Sequence, residues 1–593
     1  MHASLLHMLQ ETVSRHPNRD ALKVKRAGLY LGITYRQFWE TIRRLTHGMA
    51  AIGLQAGDRI AIFSGNRPEW PITDFAIMAL RGVSVPIHTT STDTQLQYIF
   101  KDAGVRAVFV ENALHARRMA KIQKQLPQLE FIIPFELMED KQLFPYTYTD
   151  LNGLGEKHRK SHPDFFRQNL SRIQPQDMCT IVYTSGTSGN PKGVMLHHRG
   201  FLVDIVQSEA VLKLETDRTF LSVLPLSHLY ERLAGHWLPF YRGATIAYAE
   251  SLQRLLTNLQ EVRPHFMLGV PRLFEKIMGH IRRQMRQQNA LVRFLFFAGL
   301  EDRLQWLENG HSPYKYTWKT RWIDRLIFRK IRHRLGNNIE LLISGGAPLS
   351  PHVLRFFQAI GLELLEGYGM TETHLVITLT PRFGARPGSC GKPLPGIEVT
   401  LNDDGEILVR GETVMRGYYN QPELTKEVID AKGWFHTGDI GKFDDAGYLY
   451  ITDRKKNIIV TSGGKNIAPA PIENALKQSP YIDEVVLSGH GQKYLVALIV
   501  PDYEALRQWL QQKGTPPQNN AQLVERADVQ ELITNEIRRL TRDFAAYEKI
   551  KRFTLLERPF SIENGELTPS LKVRRNVVES HYRDRLKALY AED

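Results

Sequence analysis

Short apolar runs and longer amphipathic stretches alternate along most of the chain. The runs DRIAIFS (58–64), AVFVE (107–111), CTIVYTS (179–185) and ATIAYA (244–249) are strand-like in length and content. Between such runs lie stretches like YRQFWETIRRLTHGMAAIG (35–53), in which apolar residues recur at helical spacing. Strands that alternate with helices are typical of parallel sheets covered by helices. The pattern therefore predicts an α/β fold.

Glycine-rich turns follow several of the predicted strands. They read TSGTSGNPKG (184–193), SGGAPLS (344–350) and EGYGMTET (366–373). In open α/β sheets, ligands bind beyond the carboxyl ends of the strands. Three such loops predict one shared nucleotide site.

The pattern changes after about residue 400. Short alternating strands with tight turns, DDGEILVRG (403–411) and DDAGYLYITDRKKNIIVTSGG (444–464), precede a helix-rich and strongly charged section from about residue 468. A chain of 593 residues is also too long for one ordinary domain. We place the boundary in the polar run DRKKN. Residues 1–453 are predicted to form a large N-terminal domain of layered sheets and helices, and residues 454–593 a small α+β C-terminal domain.

Cysteine content and apolar run length bear on the compartment. Cys179 and Cys390 lie far apart and match no metal-binding spacing, so we expect neither a disulfide framework nor a zinc site. The N-terminus shows no secretion signal, and the most apolar cluster (294–300) is far shorter than the roughly 18 residues of a membrane-spanning helix. We expect a cytoplasmic protein, soluble or peripheral at the inner face of a membrane.

The formal net charge of +14 predicts anionic partners. No nucleic-acid-binding signature is present, so we expect no nucleic acid partner. Basic residues concentrate within about 280–335. From residue 282 to 334 the sequence has thirteen Lys or Arg residues but only four Asp or Glu residues, and nine aromatic residues lie among them. Two interpretations stay open. The segment is either an ordinary helical elaboration or an interfacial patch for anionic membranes.

The strongest local signal is YTSGTSGNPKG (183–193). Small hydroxyl residues and glycines let backbone N–H groups and hydroxyls surround phosphate oxygens, while Lys192 adds a full positive charge. The segment is not a Walker A loop, because GxxxxGK[ST] cannot be aligned on Gly186, Gly189 and Lys192. A phosphate-binding loop of another kind is predicted.

This loop resembles the phosphate-binding signature of the superfamily of acyl-CoA synthetases, peptide-synthetase adenylation domains and luciferases. The resemblance extends in order over nearly the whole chain. LPLSHLYER (224–232), VPRLFEKI (270–277) and SGGAPLS (344–350) are similar to the long-chain acyl-CoA synthetase branch in particular.

The resemblance implies roles for individual residues. Tyr368 would stack on adenine, and Glu372, with Thr184, would hold the Mg²⁺ that bridges ATP phosphates. In WFHTGD (434–439), Asp439 would accept hydrogen bonds from the ribose hydroxyls, assisted by Arg454. The implied ATP- and AMP-binding residues are Thr184, Ser185, Gly186, Thr187, Ser188, Gly189, Lys192, Gly345, Gly346, Ala347, Gly367, Tyr368, Gly369, Thr371, Asp439 and Arg454.

The segment NGELTPSLKVRR (564–575) is similar to the family segment that delivers a catalytic lysine on a mobile C-terminal domain. Lys572 would stabilise charge that develops on the phosphate oxygens. The resemblance puts the hinge at Lys456 and brings Gly463 and Gly464 towards the CoA thiol. Lys572, Glu372, His228 and Lys192 are the implied catalytic residues. His228 has an alternative as a satisfied core histidine, because apolar residues flank it.

The implied reaction converts a fatty acid and ATP to acyl-AMP and pyrophosphate, after which CoA displaces AMP. The acyl chain is predicted to be long, with Mg²⁺ as cofactor and ATP and CoA as co-substrates. One alternative is an acyl-AMP ligase that passes its product to a carrier protein. Others are a non-catalytic nucleotide- or membrane-binding scaffold and, more weakly, a peptide-synthetase module. Monomer and homodimer both stay open.

Overall fold

The computed structural model describes residues 2–184, 190–313, 315, 317–514, 519–568 and 573–591. The chain forms two compact units. The first is Met1–Val399 with Val409–Phe435, and the second is Thr400–Leu408 with His436–Asp593. A large first unit and a smaller second one confirm the predicted organisation. The functional boundary at 453/454 stays a prediction.

Two large sheets make up the first unit. Its strands are β1 (Asp20–Arg26), β2 (Leu29–Thr34), β3 (Arg59–Phe63), β4 (Val83–Ile87), β5 (Val105–Val110), β6 (Phe131–Pro134), β7 (Met178–Thr184), β8 (Lys192–His197), β9 (Thr219–Ser222), β10 (Thr245–Tyr248), β11 (Phe266–Gly269), β12 (Leu341–Ser344), β13 (Leu364–Met370), β14 (Leu375–Leu379) and β15 (Lys392–Pro393). Two strands that lead towards the second unit, β16 (Glu398–Leu401) and β17 (Glu406–Arg410), precede β18 (Gly417–Tyr418).

One sheet has nine strands in the order β15-β14-β13-β12-β11-β9-β10-β1-β2, and the other has seven in the order β18-β8-β7-β4-β3-β5-β6. The pairs within β9 to β13 and within β3 to β7 are parallel, whereas β8, β14 and β18 pair in antiparallel fashion. The four runs first predicted as strands do form strands, namely β3, β5, β7 and β10.

Helices cover the sheets of the first unit. They are α1 (Leu5–Arg15), α2 (Tyr35–Ala51), α3 (Glu69–Ala79), α4 (Asp93–Ala103), α5 (Ala113–Gln123), α6 (Tyr148–Ser161), α7 (Phe165–Arg172), α8 (His198–Leu212), α9 (Leu229–Arg232), α10 (Leu238–Arg242), α11 (Leu255–Val262), α12 (Pro271–Arg286), α13 (Ala290–Glu308), α14 (Trp318–Ile323), α15 (Arg329–Arg334), α16 (Pro351–Ala359) and α17 (Pro422–Val428). π-Helical turns join α9 to α10 (Leu233–Trp237) and α14 to α15 (Asp324–Phe328).

Helix α2 shows how local sequence fixes such an element. Thr34 and Gln37 form a capping box, each side chain bonding the other's backbone N–H, and this starts the helix at Tyr35. Its apolar face, which includes Phe38, Ile42 and Leu45, is completely buried. In the described part of the chain, no helix combines the length and apolar content that crossing a membrane requires.

The carboxyl ends of the two sheets meet. Asn66, just beyond β3, donates to Ser222 Oγ (3.1 Å) and to the Leu224 carbonyl (2.7 Å), and it accepts from the Leu226 N–H (2.8 Å). His88, just beyond β4, lies 2.6 Å from Ser227 Oγ through Nδ1. The loop after β9 is therefore fixed against the ends of β3 and β4.

The second unit contains three sheets. Strands β19 (Phe435–Phe443) and β20 (Leu449–Arg454) complete a sheet in the order β16-β17-β19-β20, β21 (Ile459–Val460) pairs with β22 (Asn466–Ile467), and β23 (Ile482–Ser488), β24 (Leu495–Pro501) and β25 (Ile550–Leu555) form the third. Its helices are α18 (Pro469–Leu476), α19 (Tyr503–Gln512), α20 (Asn520–Glu525), α21 (Ala527–Leu540), α22 (Arg575–His581) and α23 (Arg583–Ala588). Apolar residues from both kinds of element share one core, as the α+β prediction requires.

A buried ion pair lies at the centre of the first unit. Arg232, at the end of α9, donates to Asp74 on α3 (Nε to Oδ2, 2.9 Å) and to Thr180 on β7 (2.9 Å). The Arg232 guanidinium lies 5.4 Å from the Trp70 ring centroid and 4.7 Å from that of Trp237. Both charged side chains are only 1% exposed. One guanidinium thus joins three elements of the unit.

We predict that Asp74→Asn lowers the free energy of unfolding by about 3–5 kcal/mol, because it leaves a buried guanidinium without its counter-charge. Urea denaturation followed by circular dichroism measures the change. Asp164→Asn breaks the exposed pair of Asp164 with Arg167 and should cost at most about 1 kcal/mol. Equal losses in the two variants would contradict the assignment.

Candidate active site

The described ends of the predicted phosphate loop face each other. Thr184 is the last residue of β7 and Lys192 the first of β8, and the two are direct partners in the antiparallel pair. The other predicted phosphate-loop residues, Ser185, Gly186, Thr187, Ser188 and Gly189, lie outside the described residues. The structure therefore places Thr184 and Lys192 side by side, at the same end of two adjacent strands.

Lys192 and Glu372 both contact the side chain of Tyr418. The Tyr418 hydroxyl donates to Glu372 Oε1 (3.0 Å), and Lys192 Nζ lies 5.2 Å from the centroid of the Tyr418 ring. Glu372 is buried within the short 3₁₀ turn Thr371–Thr373. The predicted lysine and carboxylate, 180 residues apart in sequence, are brought into one place.

The glycines after β12 allow a close approach. A Cβ on Gly345 would lie 2.9 Å from Cζ of Tyr230, whose hydroxyl donates to the Ile343 carbonyl (3.0 Å). Gly346 has φ of +81°, a conformation that favours glycine. Together with Ala347, these residues form the turn that leaves β12.

Strand β13 contributes Gly367, Tyr368 and Gly369, followed by Thr371. Tyr368 is half-buried. A Cβ on Gly369 would lie 1.4 Å from the Leu375 carbonyl oxygen, so no other residue fits without movement of the backbone. The turn that presents Glu372 therefore depends on this glycine.

His374 fixes the far side of the same turn. Its Nδ1 lies 2.7 Å from the Thr413 carbonyl, and its Nε2 accepts from the His197 N–H (3.1 Å). Burial lowers the pKa of His374 to about 3, so the ring stays neutral and can both donate and accept. This histidine ties β13–β14 to β8.

His228 lies next to a second histidine. It is half-buried at the N-terminus of α9, and its ring centroid is 4.1 Å from that of His88. Burial lowers the pKa of His88 to about 4, so this neighbour carries no charge at neutral pH. The structure places His228 at the junction of the two sheets.

The predicted ribose residues belong to the second unit. Asp439 on β19 and Arg454 on β20 are direct partners in the strand pair, with Nε and Oδ1 at 2.8 Å. Asp439 is buried, whereas Arg454 is largely exposed. Gly438, which precedes the aspartate, has φ of +71° and donates to Glu406 Oε1 (3.0 Å). The structure brings this predicted pair together.

The remaining predicted residues of the second unit lie on turns. Lys456 is exposed in the 3₁₀ turn Lys455–Asn457, directly after β20. Gly463 and Gly464 form the exposed turn between β21 and β22, with φ of +73° at Gly464. Lys572 lies outside the described residues.

Residues on both sides of Lys572 are paired. Leu567 and Val573 form an antiparallel bridge, and the Arg574 N–H donates to the Glu566 carbonyl (2.8 Å). The Glu566 side chain is fully buried and accepts from the Ser561 N–H (3.1 Å). The described residues on the two sides of the segment that carries Lys572 are therefore bonded to each other.

The sequence prediction missed three residues of this region: Asn66, His88 and Tyr418. Each contacts a predicted site residue or its loop from a segment far away in sequence. Asn66 lies two residues after the predicted strand 58–64, a signal that could have identified it, whereas His88 follows β4, which was not among the predicted strands. Tyr418 has no such signal.

Comparison with known proteins agrees with this architecture. A profile described as AMP-binding enzyme matches residues 9–419, and one described as AMP-binding enzyme C-terminal domain matches residues 456–593. The long-chain-fatty-acid–CoA ligase FadD15 of Mycobacterium bovis is 33% identical over 95% of this chain and 93% of its own length. Long chain acyl-CoA synthetase 1 of Arabidopsis thaliana is 32% identical over 98% and 92%.

Among solved structures, the adenylation domain of a carboxylate reductase from Mycobacterium chelonae superposes with a TM-score of 0.77 at 21% identity. The match covers 99% of this chain and 91% of that one, and at this identity it supports the fold alone. The profile that matches more than two thirds of the chain decides the family. The chain belongs to the AMP-binding enzymes.

We predict that Gly369→Ala lowers the free energy of unfolding by more than about 2 kcal/mol, because the added methyl group must displace the Leu375 carbonyl. Thermal and urea denaturation measure this loss. Gly153→Ala, in the middle of α6 where a Cβ meets nothing within 4 Å, should instead stabilise by about 0.5–1 kcal/mol. If Gly369→Ala is neutral, the close approach is not a constraint.

Proposed function

We propose that this chain is an ATP-dependent, AMP-forming ligase that activates a long-chain fatty acid as acyl-AMP and then as the CoA thioester. The observation that carries the proposal is the extent of its likeness to a ligase of this name, 33% identity over 95% of the chain, spanning both units. The residues implied in the chemistry, Lys192, Glu372, Asp439 and Lys572, are all present in the sequence.

The reaction solves a general problem of carboxylate chemistry. A carboxylate repels nucleophiles and has no good leaving group. In the first step its oxygen attacks the α-phosphorus of ATP, the bond to the β-phosphate oxygen breaks, and pyrophosphate leaves. In the second step the CoA thiol, losing its proton, attacks the acyl carbon and AMP leaves with the former carboxylate oxygen.

Positive charge near the phosphates is the main contribution of the protein to the first step. Lys192 supplies an ammonium beside the phosphate loop, and we assign Lys572 to the α-phosphate, where it meets negative charge as it develops. A donor that binds this charge more tightly in the transition state accelerates the step.

Glu372 and Thr184 fit a magnesium ion that is shared with ATP. In the described part of the chain, no cluster of three or more His, Cys, Asp or Glu could hold a metal by itself. Mg²⁺ in nucleotide sites is held by one or two carboxylates together with substrate phosphates, so the single buried carboxylate of Glu372 with a hydroxyl such as that of Thr184 fits the expected donor set. When bound, the ion neutralises charge on the triphosphate.

We assign nucleoside recognition to residues of each unit separately. Tyr368 on β13 provides a flat aromatic face for adenine, and Asp439 provides carboxylate oxygens for the ribose hydroxyls. The ion pair with Arg454 at 2.8 Å holds that carboxylate in one orientation. His228 lies in the loop after β9, where we place the fatty acid carboxylate.

The two steps place conflicting demands on one site. Lys572 is needed at the α-phosphate first, and that place must then be vacated for the thiol. We propose that the C-terminal part rotates about Lys456, which brings Gly463 and Gly464 towards CoA. Lys456 is exposed on a short turn, and rotation at a hinge is a change of φ and ψ at a few such residues.

Separate assays of the half-reactions test the function. Fatty-acid-dependent exchange of pyrophosphate into ATP reports the first step, and thioester formation from synthetic acyl-adenylate reports the second. We expect both, with AMP release only when CoA is present and a preference for longer chains in a graded series. If the protein catalyses exchange and transfers the acyl group to a carrier-protein thiol but not to CoA, the acyl-AMP ligase alternative is favoured. If it catalyses no exchange, the non-catalytic scaffold is favoured.

Two variants should separate the steps in opposite directions. Lys572→Ala should slow exchange about 100- to 1000-fold, the usual cost of one lost transition-state donor, yet still convert supplied acyl-adenylate. Lys456→Pro fixes φ near −65° and, if the fixed geometry is the adenylating one, should make acyl-AMP without transferring it. The exposed Lys442→Ala is the matched control. If Lys572→Ala slows both steps equally, the proposed alternation of the C-terminal part between the two steps is contradicted.

We further propose that α14 and the turn after it rest on anionic membranes. Trp318, Trp322 and Leu326, spaced by four residues, are 72%, 62% and 46% exposed. Residues at this spacing share one face of a helix. The exposed Arg321, Arg325 and Arg329 follow the same spacing one position away. An apolar aromatic stripe beside a basic one is complementary to a bilayer interface with anionic head groups.

We assign the two interpretations of this segment to different residues. Phe296 and Phe328 are core, with ring centroids 6.1 Å apart, and the guanidinium of Arg303 is buried against backbone carbonyls. The exposed stripe on α14 is what the core does not use. We therefore restrict the membrane surface to the exposed residues within 318–329 and the exposed Phe294 and Leu291 on α13.

We predict that the protein co-sediments with vesicles containing anionic lipid and that salt releases it, because charge interactions are screened over roughly 10 Å at 0.1 M ionic strength. Arg321→Glu/Arg325→Glu/Arg329→Glu should abolish sedimentation. Trp318→Ala/Trp322→Ala should weaken it even at low salt. The control Arg117→Glu/Lys121→Glu/Lys124→Glu makes the same charge change on exposed positions in and directly after α5. Equal loss in the control would reduce the effect to net charge.

A further inference from the structure

Tyr418 contacts both of the charged groups proposed to act on the phosphates. Its hydroxyl donates to Glu372 Oε1 at 3.0 Å, and the face of its ring lies 5.2 Å from Lys192 Nζ. The side chain is buried. A phenol carries its proton at neutral pH and a carboxylate can only accept, so Tyr418 is the donor in this hydrogen bond.

The backbone around Tyr418 is bonded to the elements that carry both groups. Strand β18 pairs with β8, with Tyr418 opposite Val194, and the Tyr419 N–H donates to the Gly193 carbonyl (2.7 Å) next to Lys192. On the other side, the Met415 N–H donates to the Glu372 carbonyl (2.7 Å). A short edge strand therefore holds the phenol at a fixed place relative to both charges.

The phenol offers each neighbour a different interaction. A hydroxyl that donates to one oxygen of a carboxylate restricts rotation of that carboxylate, and partners of this kind orient metal ligands. The ring face attracts an ammonium within about 6 Å of its centroid. A single side chain can thus hold the carboxylate and the ammonium in register with each other.

We propose that Tyr418 is a positioning residue for the metal carboxylate: it orients Glu372 towards the Mg²⁺ that accompanies ATP, and its ring keeps Lys192 beside the same phosphates. This inference rests on the proposed function, which assigns Glu372 to the metal. It adds the segment Met415–Tyr419, far from the recognised nucleotide loops in sequence, to the site.

Tyr418→Phe tests the proposal, because it removes the hydroxyl and keeps the ring. The Mg²⁺ concentration that gives half-maximal ATP–pyrophosphate exchange should rise about tenfold or more, the usual effect of losing such a partner. At saturating Mg²⁺, exchange should recover to within a few-fold of the parent. A direct readout is Mn²⁺ bound in the presence of ATP, titrated by electron paramagnetic resonance, and its dissociation constant should rise by a similar factor. Binding of ATP without metal should not change.

Tyr419→Phe is the matched control, since it removes a hydroxyl from the adjacent residue. It should leave the metal dependence unchanged. In a double-mutant cycle, Tyr418→Phe should add no further shift in a Glu372→Gln background, because both changes act on the same ligand. Circular dichroism and the melting temperature verify that each variant is folded.

Comparison of these variants distinguishes a failure of the positioning role of Tyr418 from a failure of the metal assignment of Glu372. If Glu372→Gln shifts the metal dependence of Mn²⁺ binding but Tyr418→Phe does not, or if Tyr419→Phe shifts it equally, the positioning role is wrong. If Glu372→Gln leaves Mn²⁺ binding unchanged, the metal assignment in the proposed function fails first. A Tyr418→Phe effect that excess metal does not relieve would indicate a packing role and would also overturn the inference.

Discussion

The buried guanidinium of Arg232 is the constraint on which the arrangement of the first unit depends. It joins α3 to β7 through Asp74 and Thr180, and it ends the short helix that begins just after His228. Strand β7 leads directly to Thr184 and the phosphate loop. Removing two charges from water is costly, and this pair persists only with close geometry and further donors and acceptors. That demand fixes α3, β7 and α9 in one arrangement, and with them the starting points of two site loops.

Around this centre, the site is assembled from loops of two sheets rather than from one. Asn66 and His88 hold the loop after β9 against the ends of β3 and β4, while His374 ties β13–β14 to β8. Each of these links uses a neutral polar group that is buried or half-buried, and leaving a buried donor or acceptor unsatisfied costs about 1–3 kcal/mol. The loss of one of these polar contacts would therefore lower the stability of the fold and also change the position of the loop.

The sequence predicted the elements with strong periodicity and the residues within short motifs. Helix α2 and strands β3, β5, β7 and β10 follow from their spacing, and the predicted partners Asp439 and Arg454 do lie within 2.8 Å. The sequence did not predict Asp74 with Arg232 or Tyr418 with Glu372, which are 158 and 46 residues apart. Periodicity reports which face of an element is buried, and motifs report local chemistry. Neither reports which distant element supplies the partner, because that depends on the order of strands in the sheets.

The exposed tryptophans of α14 bear on what concentration of substrate such an enzyme experiences. A long-chain fatty acid partitions into bilayers, so under the proposed membrane binding through the exposed Trp318 and Trp322 the protein would meet its substrate in two dimensions. The relevant variable is then the mole fraction of fatty acid in the lipid, not its amount per volume of solution. Adding inert lipid would dilute the substrate even as it provides more surface for binding. Under the proposed membrane binding, the α14 stripe would couple the rate of activation to the composition of the membrane.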